Sequence, residues 1–140
     1  MKLLLDTHVF LWWRGDSREL GKAARDAMMH AGNEVYVSAV AAWEIVIKRA
    51  LGKLRFDESV GEAIAEEGFT PLEVSVRHVD ELSKLADHHR DPFDRLLVAQ
   101  ARVEGMSLVS ADPWVLRYED TSLLPAGRSS PRTRPRRGPR

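Results

Sequence analysis

Three short apolar runs, each closed by a polar residue and followed by a helical pattern, set the strongest limit on how this chain can fold. Leu3-Leu4-Leu5 stops at Asp6, Val35-Tyr36-Val37 stops at Ser38, and Leu108-Val109 stops at Ser110 with Asp112 just beyond. Runs this short and continuous suit strands buried on both faces, the condition of a parallel sheet with helices on either side. Between them the pattern predicts helices over about 17–31 with Ser17 as N-cap, then 40–50, 59–67, 77–86 and 91–104. Gly105 closes the last of these, and Asn33 is the turn residue before the second strand. Val9 to Trp13 follow the first strand at once. Thr70 to Val74 read as a weak strand that Pro71 confines to an edge or a strand start. Residues 114–124 read as a last short helix and edge strand. Strands alternating with helices give an α/β fold with a central, mainly parallel sheet. Ligands in such sheets bind beyond the carboxyl ends of the strands, where strand order reverses.

A chain of 140 residues is one domain long. It has no cysteine, which excludes disulfides and thiolate metal sites and suits a reducing cytoplasm. No apolar run approaches the roughly 20 residues of a membrane span. The acid at position 6 comes too early for the apolar region of a signal peptide. The formal net charge is zero, yet it is unevenly spread. Residues 126–140 hold six arginines and no acid, which leaves 15 basic and 21 acidic side chains in residues 1–125. That division gives an acidic domain over 1–125 and a basic Pro/Arg-rich tail over 126–140, expected to be disordered because it cannot build a core.

Five acids carry the chemical question. Asp91, with Pro92 after it, is explained as the N-cap of a helix. Asp94 points between Val98 and Ala101 on a helix whose polar face is marked by Arg95 and Arg102, so its carboxylate needs a partner or a cation. Asp6 ends a strand, as a turn cap or as a ligand group. Glu44 is the only charge between Val40 and Ile47; an i,i+4 pair with Lys48 accounts for it at about 0.2–0.5 kcal/mol, less than burying an ion costs. Asp112-Pro113 alone is an ordinary turn. Taken jointly, Asp6, Glu44, Asp94 and Asp112 follow strands or open helices, and a doubly wound sheet can bring all four to one edge. Clustered carboxylates need protons or a divalent cation, and an all-oxygen donor set suits Mg²⁺ or Mn²⁺, one or two ions. Such a site needs no protein nucleophile, because the cation activates water and steadies charge on a scissile phosphate.

The segments LLLDTHVFLWW (3–13), VSAVAAWEIVIKRALGKL (37–54), HRDPFDRLLVAQA (89–101) and LVSADPW (108–114) resemble PIN-domain proteins, in particular the VapC group of toxin ribonucleases. The resemblance covers about residues 2–124. It implies a PIN-like three-layer α/β/α sandwich, Mg²⁺- or Mn²⁺-dependent endoribonuclease activity, a homodimer, and a small VapB-like antitoxin whose C-terminal segment blocks the site. It also implies an RNA target such as a structured loop of tRNA or ribosomal RNA. By matching position the acidic set falls on Asp6, Glu44, Asp94 and Asp112, with Asp91 as a further acid. Thr7, Ser38 and Ser110 stand where the family keeps small polar residues near the metal, and Ser110 replaces the more usual threonine.

Arg95, Arg90, Lys48 and Lys53 are candidates for holding RNA phosphates. The tail arginines either engage RNA by counterion release or form a non-specific extension. His88 and His89 lack metal-ligand spacing and read as a solvated turn. Trp12, Trp13 and Trp43 suit packing better than base stacking. A phosphoaspartyl phosphatase would want an acid two residues after Asp6, where His8 stands. The remaining alternative is a catalytically silent PIN fold that binds RNA or protein.

Overall fold

The computed structural model describes residues 1–86 and 91–128. Its core is one sheet of five strands: β1 (Lys2–Leu5), β2 (Glu34–Ser38), β3 (Thr70–Leu72), β4 (Ser107–Ser110) and β5 (Leu123–Pro125), in the order β3-β2-β1-β4-β5. Every neighbouring pair is parallel. The strand order reverses between β1 and β4, so the crevice beyond their carboxyl ends is the expected ligand position.

Six α-helices cover the sheet: α1 (Thr7–Arg14), α2 (Lys22–Met29), α3 (Ala39–Ala50), α4 (Val60–Glu66), α5 (Val76–Glu81) and α6 (Pro92–Glu104). The period of two along each strand divides the core. Leu3, Leu5, Val35, Val37 and Val109 pack with α1, α2 and α4 on one face. Leu4, Tyr36, Leu108 and Leu123 pack with α6 and the 3₁₀ turns Leu82–Lys84 and Val115–Arg117 on the other. Helix α3 serves both, sending Ala41 and Ile45 to the first core and Val40 to the second. Burying each large side chain such as Phe10 or Leu5 contributes about 1.5–3 kcal/mol.

Two helix starts show what local pattern misses. Val9 to Trp13, which by composition would suit a strand, form α1 because Asp6 caps it, its Oδ1 accepting from Val9 N at 2.9 Å. Helix α2 begins at Lys22 and not near Ser17, because Leu20 pairs with Gly127 and Gly21 N donates to the Ala126 carbonyl at 2.8 Å. Those long-range bonds hold the chain extended where a helix would otherwise propagate. Ala126 is fully buried, so the packed chain continues past residue 125; residues 129–140 lie outside the described residues. Elsewhere the expected signals operate. Ser38, Ser59 and Asp91 cap α3, α4 and α6, Gly105 ends α6 in the left-handed region at φ 67°, and Pro71 lies in the edge strand β3. Among the described residues no helix is long and apolar enough to cross a membrane.

Candidate active site

The register of the sheet builds the site. Leu5 lies opposite Val37 on one side and Val109 on the other. The next residue along each strand, Asp6, Ser38 and Ser110, therefore comes level at the carboxyl edge, and all three are buried.

Asp6 is 4% exposed. Its Oδ2 accepts from the Ser110 hydroxyl at 2.5 Å, while Oδ1 caps α1. The Ser110 Oγ in turn accepts from Asp112 N at 3.1 Å, and Asp112 Oδ1 accepts from Trp114 N at 2.8 Å. Ser110 thus ties the strand-end acid of β1 to the turn acid after β4. Burial pushes the Asp6 carboxyl above its ordinary value against the opposing pull of Ser110, Val9 N and His8, and the negative charge of Asp112 adds to the rise.

A second chain starts one residue later. The Thr7 hydroxyl donates to Glu44 Oε1 at 2.5 Å, and Lys48 Nζ meets Glu44 Oε2 at 2.7 Å. Glu44, 4% exposed on the inner face of α3, is therefore the expected i,i+4 partner of Lys48 as well as a buried acid. The hydrogen bond to Glu44 holds the Lys48 ammonium above its usual range against partial burial, and the charges of Glu44, Asp91 and Asp94 reinforce it. Asp91 keeps its cap role, accepting from Phe93 N at 2.9 Å and Asp94 N at 3.2 Å. This anchors Asp94, half-buried in the first turn of α6, where its field reaches Lys48. Ser38 Oγ accepts from Val40 N, so its hydroxyl serves as the cap of α3.

The charge of Asp112 acts on Asp6, and those of Glu44, Asp91 and Asp94 act on Lys48; the Asp6–Thr7 peptide links the two hydrogen-bonded chains. Among the described residues no three acid, histidine or cysteine side chains are gathered closely enough to hold a metal ion as they stand. The donor chemistry nevertheless fits a hard divalent cation, because the groups are carboxylates and hydroxyls throughout. The Asp6 carboxylate is hydrogen-bonded by one hydroxyl and one amide, both neutral, so its buried charge is left for a cation to balance.

The Arg95 guanidinium, expected as a phosphate ligand, donates to the carbonyl of Ala86 at 3.2 Å and to the Tyr118 hydroxyl at 3.3 Å, so it also braces the segment before α6. Lys48 is part of the acidic edge itself. Arg90, His88 and His89 lie outside the described residues. Sequence reasoning missed Arg14, which pairs with Glu58, Glu66 and Glu67 and clasps the end of α1 to α4. Its partners lie more than 40 residues away, and no local spacing points to them.

Fold and acid-lined edge define the class: a parallel α/β/α sandwich with carboxylates at its topological switch. Residues 3–119 match the PIN domain, and the chain belongs to that family. Ribonuclease VapC22 of Mycobacterium tuberculosis (strain ATCC 25618 / H37Rv) is 32% identical over 117 residues, 79% of this chain and 86% of that protein. Of solved structures, VapBC2 from Rickettsia felis bound to a promoter DNA fragment superposes with a TM-score of 0.68 at 13% identity, covering 90% of this chain and 99% of that one. VapBC-1 from nontypeable Haemophilus influenzae gives 0.65 at 16% identity, over 89% and 98% of the two chains. At such identities the structural likeness speaks for the fold.

Proposed function

We propose that this chain is an endoribonuclease, the toxin of a VapBC-type toxin–antitoxin pair, and that it requires Mg²⁺ or Mn²⁺. The carrying observation is the level placement of Asp6 and Ser110 on either side of the β1/β4 switch, with Asp112 tied in through Ser110. A relative named a ribonuclease at 32% identity supports the reaction class, and neighbours solved as VapBC complexes support a VapB-like antitoxin as partner.

A bound divalent cation would supply charge for the phosphodiester and activation of water. Asp6 and Asp112 would hold it, with Glu44, Asp94 and, less directly, Asp91 shaping the field around it. The chain's own residues do the rest. Ser110 fixes the Asp6 carboxylate, Thr7 fixes Glu44, and the apolar floor of Leu5, Val37 and Val109 keeps water from behind the acids. Lys48, 36% exposed at the rim, meets an RNA phosphate. The homodimer reading is supported by α3, where Ala39, Trp43, Val46 and Ala50 form an exposed strip at helical spacing.

The test is RNA cleavage by the purified protein with 5′-end mapping, in Mn²⁺ and in EDTA, for wild type and Asp94→Asn. Cleavage that persists in EDTA, or equally in Asp94→Asn, sinks the assignment. RNA bound without being cut by the wild type in Mn²⁺ would favour the silent-fold alternative.

A further inference from the structure

The acidic edge already contains a cation. Both carboxylate oxygens of Glu44 are taken by protein donors, Thr7 on one and the Lys48 ammonium on the other. Asp91 and Asp94 bring their charge to the same ammonium from α6. Across the Asp6–Thr7 peptide the situation differs, because Asp6 is hydrogen-bonded by neutral donors, with the charges of His8 and Asp112 acting on it in opposite senses and without a bond. The two halves of the edge are unlike: one carries a tethered positive charge, while the Asp6 carboxylate has none bonded to it.

We propose that Lys48 takes the place of a second divalent cation, so that the site binds a single Mg²⁺ or Mn²⁺ on the Asp6–Asp112 side. Lys48, held by Glu44, supplies the other positive charge to the RNA phosphate beside Asp91 and Asp94. This rests on the metal-dependent reading above and fixes its ion count. A second dication on Glu44 would have to share a buried carboxylate whose Oε2 already holds an ammonium at 2.7 Å, and two cations on one carboxylate repel. An ammonium is a compact point charge that meets phosphate without the fixed coordination shell that Mg²⁺ demands. Its tether to α3 removes any cost of recruiting it from solution.

The experiment counts ions and leaves activity aside. The full chain, freed of metal, is titrated with MnCl₂ by calorimetry, and bound Mn²⁺ is followed by electron paramagnetic resonance. Wild type and Lys48→Arg are expected to bind one ion per chain with no exchange-coupled pair, and Lys48→Met two. Should Lys48→Met not fold, Lys48→Gln replaces it, since its amide can still donate to Glu44 without a charge. Two ions in wild type, or one in both uncharged variants, overturns the assignment of Lys48 and leaves the nuclease reading standing. No manganese bound to wild type removes the metal-dependent reading and this inference with it.

Discussion

Replacing Thr7 by Val removes one hydrogen bond and changes almost nothing else. The side chain keeps its branched shape on α1, but Glu44 Oε1 loses the hydroxyl that reaches it at 2.5 Å. Thr7 and Glu44 are 3% and 4% exposed, so water cannot replace the donor. A hydrogen bond to a charged group contributes about 1.5–3 kcal/mol, and a buried acceptor left unmade loses that contribution in full. Lys48 still holds Oε2, which places the expected loss near the middle, about 2 kcal/mol. At roughly 4 °C per kcal/mol for a domain of this size, the melting temperature falls by roughly 8 °C. Urea unfolding followed by circular dichroism reads the loss as a lower midpoint at unchanged slope. In a Glu44→Gln background the same substitution breaks a neutral bond, so its cost drops to about 1 kcal/mol. Thr7→Ser restores most of the loss. A Thr7→Val protein within about 0.5 kcal/mol of wild type, or an equal cost in both backgrounds, would show that the bond does not carry the energy assigned to it.

Other perturbations test other parts of the chain. Gly21→Ala puts a Cβ 2.3 Å from the Gly127 carbonyl oxygen, so the segment 126–128 must move; the expected loss is about 1–3 kcal/mol, with faster proteolysis after residue 125. Gly105→Ala, with open space around the site and φ 67°, should cost only about 1 kcal/mol by denaturation and leave RNA cleavage unchanged. Without metal, the raised pKa of Asp6 means that its contribution to stability is full below the ordinary 3.8 and is lost as pH rises through the folded value. Asp6→Asn should therefore be the more stable protein at pH 7 in EDTA, the gap should close on acidification, and thermal melts across pH check both. Adding Mg²⁺ at ten times its dissociation constant should return about 1.4 kcal/mol to wild type and nothing to Asp6→Asn, again by melting temperature.

The layers of the fold were legible because each strand is a run that only burial on both faces explains. Leu3, Leu4 and Leu5 point alternately into two cores, and no one-sided sheet would use three leucines in succession. Caps were legible for the same local reason, since Ser38, Ser59 and Asp91 lie within three residues of the amides they accept from. The false start of α2 at Ser17 marks the limit. What holds Leu20 and Gly21 out of the helix is Ala126 and Gly127, more than 100 residues later, and no window of sequence contains both ends.

The candidate site shows the same limit in sharper form. Each acid could be picked out singly, and the Glu44–Lys48 spacing announced their pairing, but Thr7 lies 37 residues from Glu44 and Ser110 lies 104 from Asp6. What brings them together is the register, set by apolar residues that take no part in chemistry. Leu5 faces Val37 and Val109 in a single core, and a slip of one residue would turn the strand's whole apolar set toward the other face. It would also carry Ser110 away from the Asp6 carboxylate. The same leucines and valines that hold the sheet together therefore hold Asp6, Ser38 and Ser110 level, and a change that loosens this packing should impair the site before it unfolds the domain. Arg95 fits this account from the other side: its charge was plain in the sequence, but its bonds to Ala86 and Tyr118 make it a brace for the segment before α6.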